Sequence, residues 1–170
     1  GLVSNSSSTS FCLYGISTDE GFRSDLNELF DKIQKIQSVF PDVYSDYIKN
    51  ALKQFSEQET DEFIAYKIKV YEFLSDIQNK KLEDYVKLCD ISEDDGDDNF
   101  LYEVFSELCG FMNLSVYTYY EVNNTYIGRE YRTIGDDETG KQFKDSVRNI
   151  LPKIFNGCKC EIHEESWRDG

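Results

Sequence analysis

Cys158-Lys159-Cys160-Glu161-Ile162-His163 is the stretch whose side chains offer the most chemistry. Two thiols one residue apart, with an imidazole three residues further on, supply the soft sulfur and nitrogen donors that zinc prefers, and Cys12 or Cys109 could complete the set. A Cys160–His163 nucleophile and base is the other reading, but no third group to orient the imidazole stands out in the sequence. Strand alternation argues against the zinc site. In an extended chain Cys158, Cys160 and Ile162 project from one face, and Lys159, Glu161 and His163 from the other. The thiols are therefore expected to pack as small apolar residues beside Ile162. His163 is the only histidine, so serine or cysteine hydrolase chemistry would have to run through it. No catalytic residue and no cofactor are assigned. Cys158, Cys160 and His163 are carried forward as the candidate metal ligands.

The acidic run Ser92 to Asp98, SEDDGDD, invites comparison with a calcium loop. An EF-hand needs oxygen ligands at positions 1, 3 and 5, glycine at 6 and glutamate at 12. Counting from Asp90 puts Asp95 at 6 and Leu101 at 12; counting from Ile91 places Gly96 correctly but leaves an apolar first position. The pattern fails, and Asp94, Asp95, Asp97 and Asp98 are expected instead to be a solvated loop or a contact surface for a partner. Tyrosines crowd the next strands, and Tyr117, Tyr119, Arg129 and Tyr131 are the other candidate partner contacts, since Tyr and Arg are enriched where proteins meet. A sheet of aromatics can also stack nucleobases, but the basic component is missing. The loop Gly135–Gly140 precedes a helix, the usual geometry for a phosphate. Its own Asp136, Asp137 and Glu138 would repel one, and are expected to pair with Arg129 and Arg132.

These residues need elements to hold them. Leu114–Val122 and Thr125–Ile134 are rich in β-branched and aromatic residues, and Asn123-Asn124 between them predicts a two-residue hairpin turn. Gly128 within the second strand marks a bulge or a close backbone approach. Thr139 and Gln142 form a capping box for a helix carrying Phe143, Val147, Ile150, Leu151 and Ile154, with Pro152 predicting a kink or an early end. Phe11–Ile16 reads as a strand with apolar residues on both faces, and Cys158–His163 as a final strand. Between them, helices are expected from Ser17–Glu20 to Val39, from Asp42 to Phe55, from Ser56–Glu59 onward with a break near Asn79, and over Phe100–Phe111. Tyr47, Phe63 and Tyr71 fall on inward stripes of this pattern. The order implies an α+β fold, a small and mostly antiparallel sheet (N-terminal strand, 114–134 hairpin, C-terminal strand) with about five helices. A flexible Ser-rich stretch, 1–10, is expected to lead into one domain, 11–170.

Two passages carry a resemblance. SNSSSTSFCLYG resembles the Ser-rich opening and apolar strand of a group of small bacteriophage and bacterial proteins, and YIGREYRTIGDDETGKQFK with HEESW is similar to the C-terminal half of some of them. Together they cover about a fifth of the chain. The group has no assigned activity, so the resemblance carries over no catalytic residue and implies only a phage or mobile-element setting.

Charge narrows the function. The 170 residues hold 33 acidic and 18 basic side chains, a formal −15, which opposes direct binding to nucleic acid or to an anionic membrane. No apolar run approaches a bilayer's thickness. Five cysteines, an odd number with no secretory signal, read as free thiols in a reducing cytoplasm. The expected function is that of a small acidic protein acting on another protein, a basic one such as a host nucleic-acid-binding protein. The alternative is a Cys/His metal-binding or enzymatic module.

Overall fold

The antiparallel ladder is built around one glycine pair. In this computed structural model, which describes residues 8–91, 99–119 and 123–168, β1 (Ser8–Ser17), β2 (Ser115–Tyr119), β3 (Asn124–Glu130) and β4 (Glu161–Arg168) form a sheet in the order β2-β3-β1-β4. β1 is interior, which is why Phe11 and Leu13 on one face and Tyr14 and Ile16 on the other are all buried. Gly15 of β1 stands opposite Gly128 of β3. A Cβ on Gly15 would lie 2.0 Å from the Ile127 carbonyl oxygen, and one on Gly128 would lie 2.2 Å from that of Tyr14. Gly128 thus marks a close backbone approach.

The hairpin register departs from the expected turn. Thr118 pairs with Thr125 and Tyr119 with Asn124, so Asn124 belongs to the strand, while Asn123 takes φ +53°. The shift is an even number of residues, so each strand keeps the faces read from its alternation. Directly opposed Thr118 and Thr125 share a hydroxyl hydrogen bond of 2.9 Å, a cross-strand pair that selects this register. The outer strands are longer than apolar content alone suggested. β1 begins at Ser8 rather than Phe11, and β4 starts at Glu161 rather than Cys158 and runs on to Arg168. Ladder bonds are made by backbone, so the polar ends of both strands can pair.

Contacts divide the chain into two compact units, one of Gly1–Gly21 with Asn113–Gly170 and one of Phe22–Met112. The first holds the sheet with α6 (Gly140–Arg148), which packs on β1, and α7 (Leu151–Ile154). The expected capping box is present: the Gln142 N–H donates to Thr139 Oγ1 at 3.1 Å, and the Thr139 N–H to Gln142 Oε1 at 2.9 Å. Pro152 sits at the start of α7, where a missing N–H costs nothing, so the single expected helix becomes two.

The second unit is helical: α1 (Leu26–Val39), α2 (Pro41–Ser56), α3 (Glu62–Leu74), α4 (Leu82–Cys89) and α5 (Phe100–Phe111). Two helices start later than their apparent capping boxes. Ser17 still belongs to β1 and Gly21 takes φ +85°; a 3-10 turn at Phe22–Ser24 follows, and α1 begins only after Asp25, whose carboxylate accepts from the Glu28 N–H. Ser56 closes α2 by donating to the Lys53 carbonyl, and Asp61 caps α3 by accepting from Ile64. The break near Asn79 is a 3-10 turn at Ile77–Asn79, tied to α1 by Gln34, whose amide donates to the carbonyls of Ile77 and Lys80 at 2.9 and 3.1 Å. Tyr44 donates to the Leu74 carbonyl at 2.6 Å and closes the end of α3. Leu29, Ile33, Leu74, Tyr85, Phe105 and Leu108 form the centre of this core. No helix of the described residues is long and apolar enough to cross a membrane.

Candidate functional site

The structure separates the residues that the sequence grouped around Cys160. Cys158 and Cys160 lie in the segment before β4, half-buried and in contact with each other. Burial first, and then the neighbouring Cys158, push the Cys160 thiol up to about 11, so at neutral pH it stays protonated and a poor nucleophile. Ile162, expected inward, is 57 % exposed. β4 is an edge strand, and its half-buried face is that of His163 and Glu165. The His163 ring lies 5.5 Å from that of Tyr126, whose hydroxyl donates to Glu165 at 3.0 Å. Among the described residues, no group of three or more His, Cys, Asp or Glu side chains is placed to hold a metal ion.

The four hairpin candidates divide between the two faces of the sheet. Tyr117 stacks flat on Phe11, with ring centroids 4.9 Å apart and planes 1° from parallel, and Tyr119 packs on the same cluster of Phe11, Leu13 and Tyr126. Arg129 lies on the opposite face, its guanidinium 4.6 Å from the centre of the Phe143 ring, and Tyr131 stacks on Phe143 at 4.8 Å. Arg129 also grips Glu138 with both ends of its fork, at 2.6 and 2.8 Å, while the Gly135 N–H donates to the same carboxylate at 3.0 Å. The loop before α6 is therefore closed by Glu138, which stands where a phosphate would. Arg132 pairs with Glu130 instead of the loop. Asp94, Asp95, Asp97 and Asp98 lie outside the described residues.

The Arg129 bonds, then the Gly135 N–H, hold the Glu138 carboxyl below its ordinary 4.5. A lowered native value contributes stability that is complete above the unfolded value and is lost as pH falls through the folded one. The wild type is therefore expected to lose more stability between pH 5 and 3 than Glu138→Gln, with the gap between their melting temperatures closing toward the acid end (about one unit either side of the ordinary carboxylate range). Melting curves across that range check this; parallel curves would contradict it.

A different group of residues forms a cleft, within the helical unit. Tyr47, Ala51, Gln54 and Phe55 share one face of α2, Lys67 and Tyr71 one face of α3, and Glu103, Glu107, Gly110 and Phe111 one face of α5, each set at helical spacing. They line a cleft of about 420 Å³. Tyr47 and Tyr71 are buried at its base. Their hydroxyls lie 3.1 Å apart, and both donate to the same Glu107 oxygen, Tyr47 closely and Tyr71 at 3.2 Å. Burial pushes the Tyr71 phenol up to about 12 and that of Tyr47 higher still, so both remain donors at any physiological pH. Glu107 is thus pinned by one oxygen. Neither it nor Glu103 forms a salt bridge among the described residues.

Lys67, on the cleft wall, holds its ammonium over three phenyl rings, 4.8 Å from the centre of Phe63, 5.2 Å from Phe100 and 5.8 Å from Phe55. Phe63, read as an inward residue, is 61 % exposed and forms part of this seat; Phe111 is 45 % exposed at the rim, edge-on to Tyr47. The cleft has the chemistry of a binding site: aromatic faces, one anchored carboxylate beside a second, and amides, without a nucleophile and its base. A stripe reading treats Tyr47 and Tyr71 as core and Glu103 and Glu107 as solvated. The legible signal was the i, i+4 pair of carboxylates on an apolar helix, which no neighbouring base answers. Comparison with protein-family models, with curated proteins and with solved structures gives no match.

Proposed function

We propose that the protein acts by binding another protein, one with a basic surface, through its helical unit. One observation carries this reading: most of the formal negative charge belongs to the stretch of chain that forms the helical unit. Residues 22–112 contain 21 acidic and 10 basic side chains, −11 of the formal −15, and the cleft in that unit presents two carboxylates against one lysine, Lys67, whose ammonium sits over phenyl rings. Such a field steers a basic protein toward it and discriminates against acidic ones. The resemblance to phage and bacterial proteins suits a modulator of a host target, and a host protein with a nucleic-acid groove offers the complementary charge.

Affinity capture from lysate of the source organism, followed by mass spectrometry, tests it. The expected result is a basic protein retained at about 0.05 M salt and released at about 0.5 M, because exposed charges are screened over that range. It should rebind when purified. Captured proteins no more basic than the lysate, or retention indifferent to salt, would overturn the reading.

A further inference from the structure

Resting on that reading, we infer that the cleft between α2, α3 and α5 takes an arginine side chain of the partner. Three features select a guanidinium. Glu103 and Glu107 stand one helical turn apart on α5, neighbours on the same face of the helix. Tyr47 and Tyr71 bond one oxygen of Glu107 and so anchor its carboxylate, leaving the other oxygen for the cleft. A planar fork of five N–H donors can satisfy two neighbouring carboxylates at once, where an ammonium acts as a point charge. Aromatic rings complete the site, because a weakly hydrated guanidinium stacks on an aromatic face, and Phe55 and Phe111 line the cleft beside Tyr47.

Size agrees. At about 420 Å³ the cleft lies near the lower end of ligand-site volumes and has room for a long side chain. Gly110 lines the cleft, and a Cβ there would meet nothing within 4 Å, so there is open space beside it. Lys67 opposes the occupant. Its ammonium is already satisfied on the phenyl faces, and it is the basic residue among those lining the cleft. It shares the cleft with the occupant and would repel any cation there, so its loss should strengthen binding. That sign separates a cationic occupant from an anionic one.

The test titrates the full chain with the peptide acetyl-Gly-Ser-Arg-Ser-Gly-amide, followed by amide chemical shifts. Versions carrying lysine, or the uncharged isostere citrulline, replace the arginine. The arginine peptide should shift the amides of α5, with the citrulline peptide about tenfold weaker or worse and lysine in between. Glu103→Gln/Glu107→Gln should weaken the arginine peptide about tenfold, and Lys67→Met should tighten it several-fold. Gly110→Leu adds a side chain into open space on a helix, so it should keep the native spectrum and abolish binding. Equal binding of arginine and citrulline peptides, weaker binding in Lys67→Met, or no binding at all would overturn the assignment. If a captured basic partner binds Gly110→Leu as tightly as the wild type, the interaction stands and the cleft is excluded from it.

Discussion

Alanine at Gly15 or at Gly128 is expected to cause the largest loss of stability available from adding one methyl group to this chain. The two glycines face each other across the central strand pair, and the added Cβ would meet backbone, 2.0 Å from the Ile127 carbonyl oxygen in one case and 2.2 Å from that of Tyr14 in the other. Overpacking among mobile side chains costs roughly 1–3 kcal/mol. Here the obstruction is a carbonyl held in the ladder, so each variant should lose at least about 3 kcal/mol, the upper end of that range. Denaturant unfolding measures the loss. Gly110→Ala, where the added Cβ stands in open space, is the matched control and should be neutral or stabilising. Wild-type stability in both Gly15→Ala and Gly128→Ala would show that the strands do not approach as described.

Phe143→Ala is expected to cost about as much, through a different mechanism. Phe143 is fully buried, stacks with Tyr131 and supports the Arg129 guanidinium. Truncating a buried phenylalanine costs about 3–5 kcal/mol from lost burial and the residual cavity. A second consequence separates this site from any other core position. With the ring gone, Arg129 loses the surface that aims its fork at Glu138, so the acid-sensitive part of stability assigned to Glu138 should shrink as well. Phe143→Leu should recover most of the stability. Unfolding of Phe143→Ala within about 1 kcal/mol of the wild type, well below the range for such truncations, would contradict this packing.

Most of the fold was legible in local chemistry. Asn123 at positive φ, the Thr139–Gln142 box, the break at Asn79 and the interruption at Pro152 all follow from side chains acting on their own backbone. What escaped was set by pairing over distance. Ser8–Ser10 and residues 164–168 carry no strand-like pattern, yet they extend a ladder whose bonds are indifferent to side-chain polarity. In the hairpin register Thr118 meets Thr125, and Asn124, suited to a turn, joins the strand instead.

The functional candidates follow the same division. Strand alternation set His163 apart from Cys158 and Cys160, but Ile162, although it pairs with buried Tyr14, is exposed on the edge strand β4. Tyr117, Tyr119, Arg129 and Tyr131 were chosen by residue type, and each is engaged within its own unit. The cleft needed three helices to converge. Tyr47, Tyr71 and Glu107 lie on three different helices, and periodicity along one helix carries no sign of the other two.

Partner affinity, measured by titration calorimetry with a captured and purified basic protein, tests the central claim most directly. The wild type should bind it with an affinity that falls steeply as salt rises, and Glu103→Gln/Glu107→Gln should bind at least about tenfold more weakly at low salt. Equal affinities for wild type and variant, unchanged between low and high salt, would contradict it.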